Sequence, residues 1–120
     1  MINRLIYTLV AILVISSCNN NDIELKKSII GTWDVFSSEM NNKPNGLMKN
    51  GWFVFADDNS VKSNIFEGNN SEKYNVDNGR LIIEGKEKFD LKISRLENDT
   101  MHLVGKVKVY NMEYFLVRRG

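Results

Sequence analysis

The sequence lacks the residues that build covalent cross-links and zinc sites. It has one cysteine among 120 residues, together with one histidine and one proline. A single cysteine cannot form an internal disulfide framework or a four-ligand zinc site. No glycine-rich loop opens a helix in the way that phosphate binding requires. The sequence therefore predicts no disulfide, no metal centre and no cofactor.

An excess of charge of one sign is missing as well. Sixteen basic residues face fifteen acidic ones, and charged residues make up 26% of the chain. A nucleic-acid-binding domain carries a basic surface, which this balance does not provide. A charged fraction close to the globular average also argues against disorder. With domains of about 150 residues as the guide, the chain forms one folded domain.

The apolar run at the N-terminus is too short to cross a bilayer. Arg4 precedes a largely aliphatic stretch from Leu5 to Ile15. As a helix this stretch would be about 16 Å long, against roughly 30 Å of hydrocarbon. A basic start, a short apolar run and small residues before a cleavage site are typical of a secretory signal peptide. We therefore predict that residues 1–17 are a signal peptide that is removed.

The cysteine lies where this signal ends. Ile15-Ser16-Ser17-Cys18 resembles a bacterial lipobox. The resemblance implies cleavage before Cys18 and acylation of its sulfur and its new amine by fatty acids such as palmitate. Asn19 stands where an aspartate would retain the protein in the inner membrane, which favours the outer membrane of a Gram-negative envelope. The alternative is an ordinary signal-peptidase site with a free thiol beside it.

Residues 18–22 then form a lipidated tether, and residues 23–120 form the folded domain. The domain starts with the pattern of a short helix, because Asp22 supplies a capping residue and lysines follow later. Ile23 and Ile30 are expected on its buried side, together with Leu25 and Ile29. Gly31 is expected to end it.

Beyond Gly31 the hydrophobic period changes to two. Residues 88–94 alternate strictly between polar and apolar, as in a strand with one buried face. About eight such strands follow one another, separated by turns such as Asn78-Gly79. This spacing suits a small barrel or a sandwich, and a closed barrel leaves no exposed strand edge. The longest other segment, Met40 to Asn50, is expected as a cavity rim or a plain surface loop.

The start of the first strand resembles a known family. Ile29–Val35 contains the Gly-x-Trp signature of the lipocalin superfamily, and it is more similar to the small lipocalin-like domains of bacterial lipoproteins. The resemblance implies that Trp33 closes the barrel floor and that an arginine of the last strand packs over it. Arg118 is expected in that position, with Arg119 as the alternative. Shorter similarities follow in the family's order at Phe53–Val61, Tyr74–Val76, Asn78–Ile83, Ile93–Leu96, Asn98–Leu103 and Tyr114–Arg119.

The expected barrel interior is the candidate ligand site. Eight-stranded barrels either fill with side chains or hold one small ligand, and many large residues on short strands favour filling. A remaining cavity would suit a small hydrophobic molecule. The candidate interior residues are Phe53, Phe55, Tyr74, Phe89, Leu91, Met101 and Tyr114.

A second apolar set falls on the opposite strand faces. Its members could dock the N-terminal helix or form a patch for a partner. They are Phe36, Trp52, Val54, Phe66, Ile82, Val104, Phe115 and Val117.

The sequence shows no catalytic constellation, so we predict a protein that is not an enzyme. His102 is out of phase with Met101 and Leu103 and is expected to face away from the core. The predicted function is that of a lipid-anchored cell-envelope protein that binds a small hydrophobic ligand and no nucleic acid. The alternative is a protein-interaction module that supports an envelope complex or inhibits a hydrolase.

Overall fold

Eight antiparallel strands close into a barrel in the computed structural model, which describes residues 21–46, 50–66 and 71–120. Each strand from β3 to β8 pairs with the next along the chain, and β1 pairs with both β3 and β9. The short β2 pairs only with the end of β1. The prediction of a small up-and-down eight-stranded barrel is confirmed. The strands are β1 (Gly31–Met40), β2 (Lys43–Pro44), β3 (Trp52–Phe55), β4 (Ser60–Ser63), β5 (Ser71–Asp77), β6 (Arg80–Glu84), β7 (Phe89–Leu96), β8 (Thr100–Val107) and β9 (Tyr110–Arg118).

Alternate side chains fill the barrel. All seven candidate interior residues are at most 3% exposed. The rings of Phe53 and Phe55 stack with centroids 5.8 Å apart, and Tyr74 meets Phe55 edge-on at 5.2 Å. Burial of each such side chain contributes about 1.5–3 kcal/mol relative to exposure. The period of two therefore produces one continuous core.

A helix over residues 21–29 covers one end of the barrel. Ile29 is fully buried and Leu25 packs against the core, whereas Ile23 is 52% exposed. The expectation that Ile23 is buried is therefore wrong. The carboxylate of Asp22 accepts hydrogen bonds from the backbone N–H groups of Asn78 and Gly79, at 3.0 and 3.1 Å. Both turn residues have positive φ, as their sequence predicted, and their amides hold the helix to this end.

The same end is sealed by Trp33 and Arg118. Trp33 is fully buried, and its Nε1 donates to the carbonyl of Ile29 at 2.9 Å. The guanidinium of Arg118 lies 4.2 Å from the indole ring centroid. It also donates to the carbonyls of Ser28 at 2.6 Å and Ile30 at 2.9 Å. Arg118 thus joins the last strand to the helix and to the first strand.

Gly31 makes this arrangement possible. The helix stops before it, as predicted, and its φ of 134° is one that other residues rarely adopt. A Cβ at this position would lie 2.8 Å from Nη1 of Arg118. The glycine of the Gly-x-Trp segment therefore leaves the space that the guanidinium occupies.

Arg119 has a different environment from its neighbour. It forms an ion pair with Asp34 on the outside of the barrel, with Nε 3.1 Å from Oδ2. This hydrogen bond and the positive charge lower the pKa of Asp34. Of the two arginines considered, Arg118 is the one that stacks on Trp33.

The alternation predicts Val61 and Ile65 in one strand and Val107 and Val109 in another, but the structure ends both strands earlier. β4 ends at Ser63, so Ile65 lies in a turn rather than in a strand. β8 runs to Val107, and Val109 lies 81% exposed in the following hairpin turn. In the segment from Met40 to Asn50, the chain reverses direction after β1 and forms β2, which pairs with the end of β1. Residues 47–49 of this segment lie outside the described part of the chain.

The two neighbouring arginines give a matched pair for mutation. Arg118→Lys is expected to lower the free energy of unfolding by about 2 kcal/mol, because lysine keeps the charge but loses the planar stack and most of the carbonyl contacts. Arg119→Lys is expected to cost much less, since its ion pair is exposed. Urea denaturation measures both, and equal losses would contradict the sealing role of Arg118.

Candidate functional site

Among the described residues, side chains close the end of the barrel opposite the helix. Phe66 lies over the core there at 9% exposure. Its ring meets Phe53 and Phe89 edge-on, with centroids 6.2 and 5.6 Å apart. Glu72 and Glu87 stand beside these rings. We call this end, formed by Phe66, Glu72, Lys86, Glu87 and Phe89, the mouth.

The placement of Phe66 on an outer strand face was wrong. The alternation that predicted it stops at Ser63, where β4 ends. The backbone N–H of Ile65 donates to the buried Ser63 hydroxyl at 3.1 Å, so the chain turns here. The turn directs Phe66 over the barrel instead of away from it. Phe66 is thus a mouth residue that strand periodicity could not identify.

Tyr114 is the unusual polar residue beneath the mouth. Its ring is fully buried and meets Phe53 edge-on at 6.2 Å. Its hydroxyl has no hydrogen-bond partner among the described residues. The hydroxyl of Tyr74, by contrast, donates to the carbonyl of Ala56 at 2.8 Å. A buried polar group without a hydrogen bond lowers the free energy of unfolding by about 1–3 kcal/mol. Such a group therefore indicates a functional role or a partner that is not seen.

Electrostatics keep the Tyr114 hydroxyl protonated. Burial raises its pKa, and the negative charge of Glu87 raises it further. The carboxylate of Glu87 is itself paired with Lys108 at 3.0 Å. The mouth carries Glu72 and Lys86 as well, so charges of both signs surround it. A neutral ligand that accepts a hydrogen bond from the phenol fits this environment best.

The mouth is closed in the described conformation. The hollow between its residues measures about 10 Å³, which is room for one water molecule at most. Within the described ranges, the ring of Phe66 covers this end of the core, and moving it aside would open a space about the size of a phenyl group.

The structure divides the seven candidate interior residues into two groups. Phe53, Phe89 and Tyr114 come together below Phe66, where they could touch a ligand. The other four lie towards the helix or midway along the barrel: Phe55, Tyr74, Leu91 and Met101.

Two acidic residues of the mouth were missed by the sequence reasoning. Glu72 continues the inward alternation of Tyr74 and Val76, so its spacing could have revealed it. Its carboxylate lies so close to Gly85 that a Cβ there would be 2.6 Å from it. Glu87 lies in the turn before β7, where its sequence favours a solvated acid and gives no sign of its proximity to Tyr114.

The outer face of the barrel carries part of the second apolar set. Phe36 and Val117 are 78% and 37% exposed there. His102 lies on this face, as its phase predicted, and stacks on Phe115 with centroids 4.4 Å apart. Its Nε2 is 3.1 Å from a carboxylate oxygen of Glu113. The helix covers the barrel end and leaves Phe36 and Val117 exposed, so of the two alternatives for this set, docking of the helix does not hold for these two residues.

Cys18, the predicted lipidation site, lies outside the described residues. Within residues 21–46, 50–66 and 71–120, no three acidic, histidine or cysteine side chains are grouped as metal ligands would be. No helix in these ranges is long and apolar enough to cross a membrane.

Comparison with known proteins assigns no family. No protein-family model, no curated protein and no solved structure gives a significant match to the chain. The geometry of the described residues and the sequence patterns therefore carry the functional inference.

The two buried tyrosines predict opposite effects of removing a hydroxyl. In ligand-free protein that has been unfolded and refolded, Tyr114→Phe is expected to raise the free energy of unfolding by about 1 kcal/mol, because an unpaired group is lost. Tyr74→Phe is expected to lower it by about 1 kcal/mol, because a paired one is lost. Urea denaturation tests both variants. A destabilised Tyr114→Phe protein would mean that this hydroxyl has a protein partner.

Proposed function

We propose that this protein is a non-catalytic, lipid-anchored envelope protein that binds a small hydrophobic molecule at the mouth of its barrel. The similarity of Gly31-Thr32-Trp33 to lipocalin-like domains of bacterial lipoproteins supports the family, together with the stack of Arg118 on Trp33. The lipobox-like segment that ends at Cys18 supports the anchor.

The observation that carries the ligand-binding proposal is the hydroxyl of Tyr114, which has no hydrogen-bond partner among the described residues. It lies in an apolar setting beneath the end of the barrel that Phe66 covers. A ligand whose apolar group takes the place of the Phe66 ring would meet Phe53 and Phe89. A carbonyl, ether or hydroxyl oxygen on the same ligand would accept a hydrogen bond from Tyr114. This combination favours a neutral molecule with one apolar group and one oxygen acceptor.

The proposed anchor also orients the barrel. Asn21 is the third residue after Cys18, so the two lie at most about 11 Å apart. Asn21 lies at the helix end of the barrel, beside Asn78 and Gly79. The sealed end therefore faces the membrane, and the mouth points towards the aqueous compartment. Ligand exchange would take place with a soluble or protein-bound source.

Ligand binding is tested with the two tyrosine variants. Native mass spectrometry of protein purified from its own membranes is expected to show a retained mass of a few hundred daltons. Tyr114→Phe is expected to bind a neutral aryl ketone dye such as prodan about fivefold more weakly, the loss of one hydrogen bond of about 1 kcal/mol. Tyr74→Phe is the control and should bind the dye as the parent does. Equal affinity of all three proteins, without a retained ligand, would refute the proposal.

The anchor is tested separately. The N-terminal peptide of the membrane-bound protein is expected to begin at Cys18 and to carry the mass of its acyl chains. Cys18→Ser should leave residues 1–17 attached and give an unacylated precursor. A cleaved protein whose Cys18 reacts with a maleimide would show the alternative, an ordinary signal-peptidase site.

The second candidate function, a protein-interaction module, is favoured by one observation. Phe36 has the most exposed aromatic ring among the described residues. An isolated exposed apolar residue is common on protein surfaces, whereas a projecting ring beside apolar hollows is typical of a contact site.

A further inference from the structure

Asn78 and Gly79 form a sequence that is prone to chemical change. The backbone nitrogen of the residue after an asparagine can attack the asparagine side chain, and glycine offers the least steric hindrance to this attack. Asn78 is exposed, so water reaches it. The chain contains two further pairs of this kind, Asn45-Gly46 and Asn50-Gly51. The surroundings that the fold gives to each pair therefore decide which asparagine is modified.

The reaction is a deamidation that passes through a cyclic imide. The glycine nitrogen loses its proton and attacks Cγ of the asparagine, so that an N–Cγ bond forms. The Cγ–Nδ2 bond then breaks, and Nδ2 leaves as ammonia with the proton that the glycine nitrogen gave up. Water opens the imide and leaves either an aspartate or an isoaspartate, in which the main chain runs through the former side chain. Water is the only co-reactant, and nothing is oxidised or reduced.

The carboxylate of Asp22 opposes the first step of this reaction at Gly79. The N–H of Gly79 donates to Oδ1 of Asp22 at 3.1 Å, and the N–H of Asn78 donates to Oδ2 at 3.0 Å. A charged acceptor favours retention of the amide proton, and its negative charge disfavours a negative nitrogen beside it. The carbonyl of Gly79 is also held, by the N–H of Ile93 at 3.0 Å. The attack therefore requires Asp22 to leave the turn first.

Asp22 can leave without unfolding of the barrel. It lies in the first turn of the helix over residues 21–29. The other end of this helix is fixed separately, because Arg118 binds the carbonyl of Ser28. Helix ends open locally at a smaller free-energy cost than the whole domain. The contact between Asp22 and the turn is thus a local closure of the helix start over the barrel end.

We infer that Asn78 is a site of spontaneous deamidation that Asp22 protects, and that its modification keeps the helix start detached. The product carries a new carboxylate in the turn whose amides bind Asp22, and two negative charges at this distance repel each other. Isoaspartate also lengthens the main chain of the turn and displaces the amides that Asp22 binds. Deamidation therefore records each lasting detachment of the helix start in a permanent chemical change.

Asn45-Gly46 provides an internal standard. Gly46 is exposed, and a Cβ at this position would meet no atom within 4 Å. The pair follows β2, which lies against the end of β1 that is remote from Gly31 and the helix. A change at Asp22 should therefore leave the deamidation rate at Asn45 as it is, unless the whole domain unfolds.

Peptide mass spectrometry of the full chain, incubated in mildly alkaline buffer, tests the protection. Asp22→Asn is expected to raise the deamidation rate at Asn78 about tenfold, as the loss of a hydrogen bond to a charged acceptor would. The rate at Asn45 should not change. Glu24→Gln is the matched control, because it removes the same charge from an exposed position of the same helix, and it should change neither rate.

Three results would overturn the inference. An unchanged rate at Asn78 in Asp22→Asn would show that the contact gives no protection. A slower rate would show that the carboxylate promotes the attack as a base. An equal increase at Asn78 and Asn45 would trace the effect to unfolding of the domain.

Hydrogen exchange measures the effect of the product on the helix. Asn78→Asp is expected to speed exchange within residues 21–29 about fivefold, because the new charge repels Asp22. Exchange in β8 and β9 should stay as in the parent. Asn75→Asp adds the same charge at an exposed position of β5, and it should leave the helix unaffected. Equal exchange of the helix in both variants would show that the product does not detach it.

Discussion

The stack of Arg118 on Trp33 is the contact on which the rest of the barrel depends. A closed barrel must join its first strand to its last, and these two residues are direct partners across the β1–β9 pair. The guanidinium also donates hydrogen bonds to the carbonyls of Ser28 and Ile30. The same side chain therefore closes the sheet and fixes the helix over its end. Because an arginine can stack and donate in several directions at once, one side chain joins three parts of the chain.

The two ends of the barrel are closed in different ways. At the helix end, main-chain carbonyls and Asp22 satisfy the polar groups. At the mouth the ring of Phe66 lies over the core, and the Tyr114 hydroxyl below it has no hydrogen-bond partner in the described part of the chain. A core selected only for stability would have phenylalanine at position 114. The hydroxyl lowers the free energy of unfolding, and such a local loss of stability is common at binding sites.

Sequence patterns predicted the regular parts of this fold well. Alternation in β5 to β9, the Asn78-Gly79 turn and the Gly31-Thr32-Trp33 segment each depend on local backbone geometry, which sequence encodes directly. Phe66 was harder, because β4 ends in a turn at Ser63 and the alternation that placed Phe66 on the outer face stops there. A shift of one residue moves a side chain to the opposite face. The grouping of Glu72 and Glu87 near Tyr114 depends on strand order, which no single segment specifies.

The barrel separates its proposed tasks onto different surfaces. The helix end is sealed by the stack of Arg118 on Trp33, and the mouth above Tyr114 is the proposed ligand site. Arg118 acts at one end of the barrel, and Tyr114 lies beneath the other. Substitutions at sites without common contacts act almost additively. A change at Tyr114 should therefore leave the seal at the helix end intact.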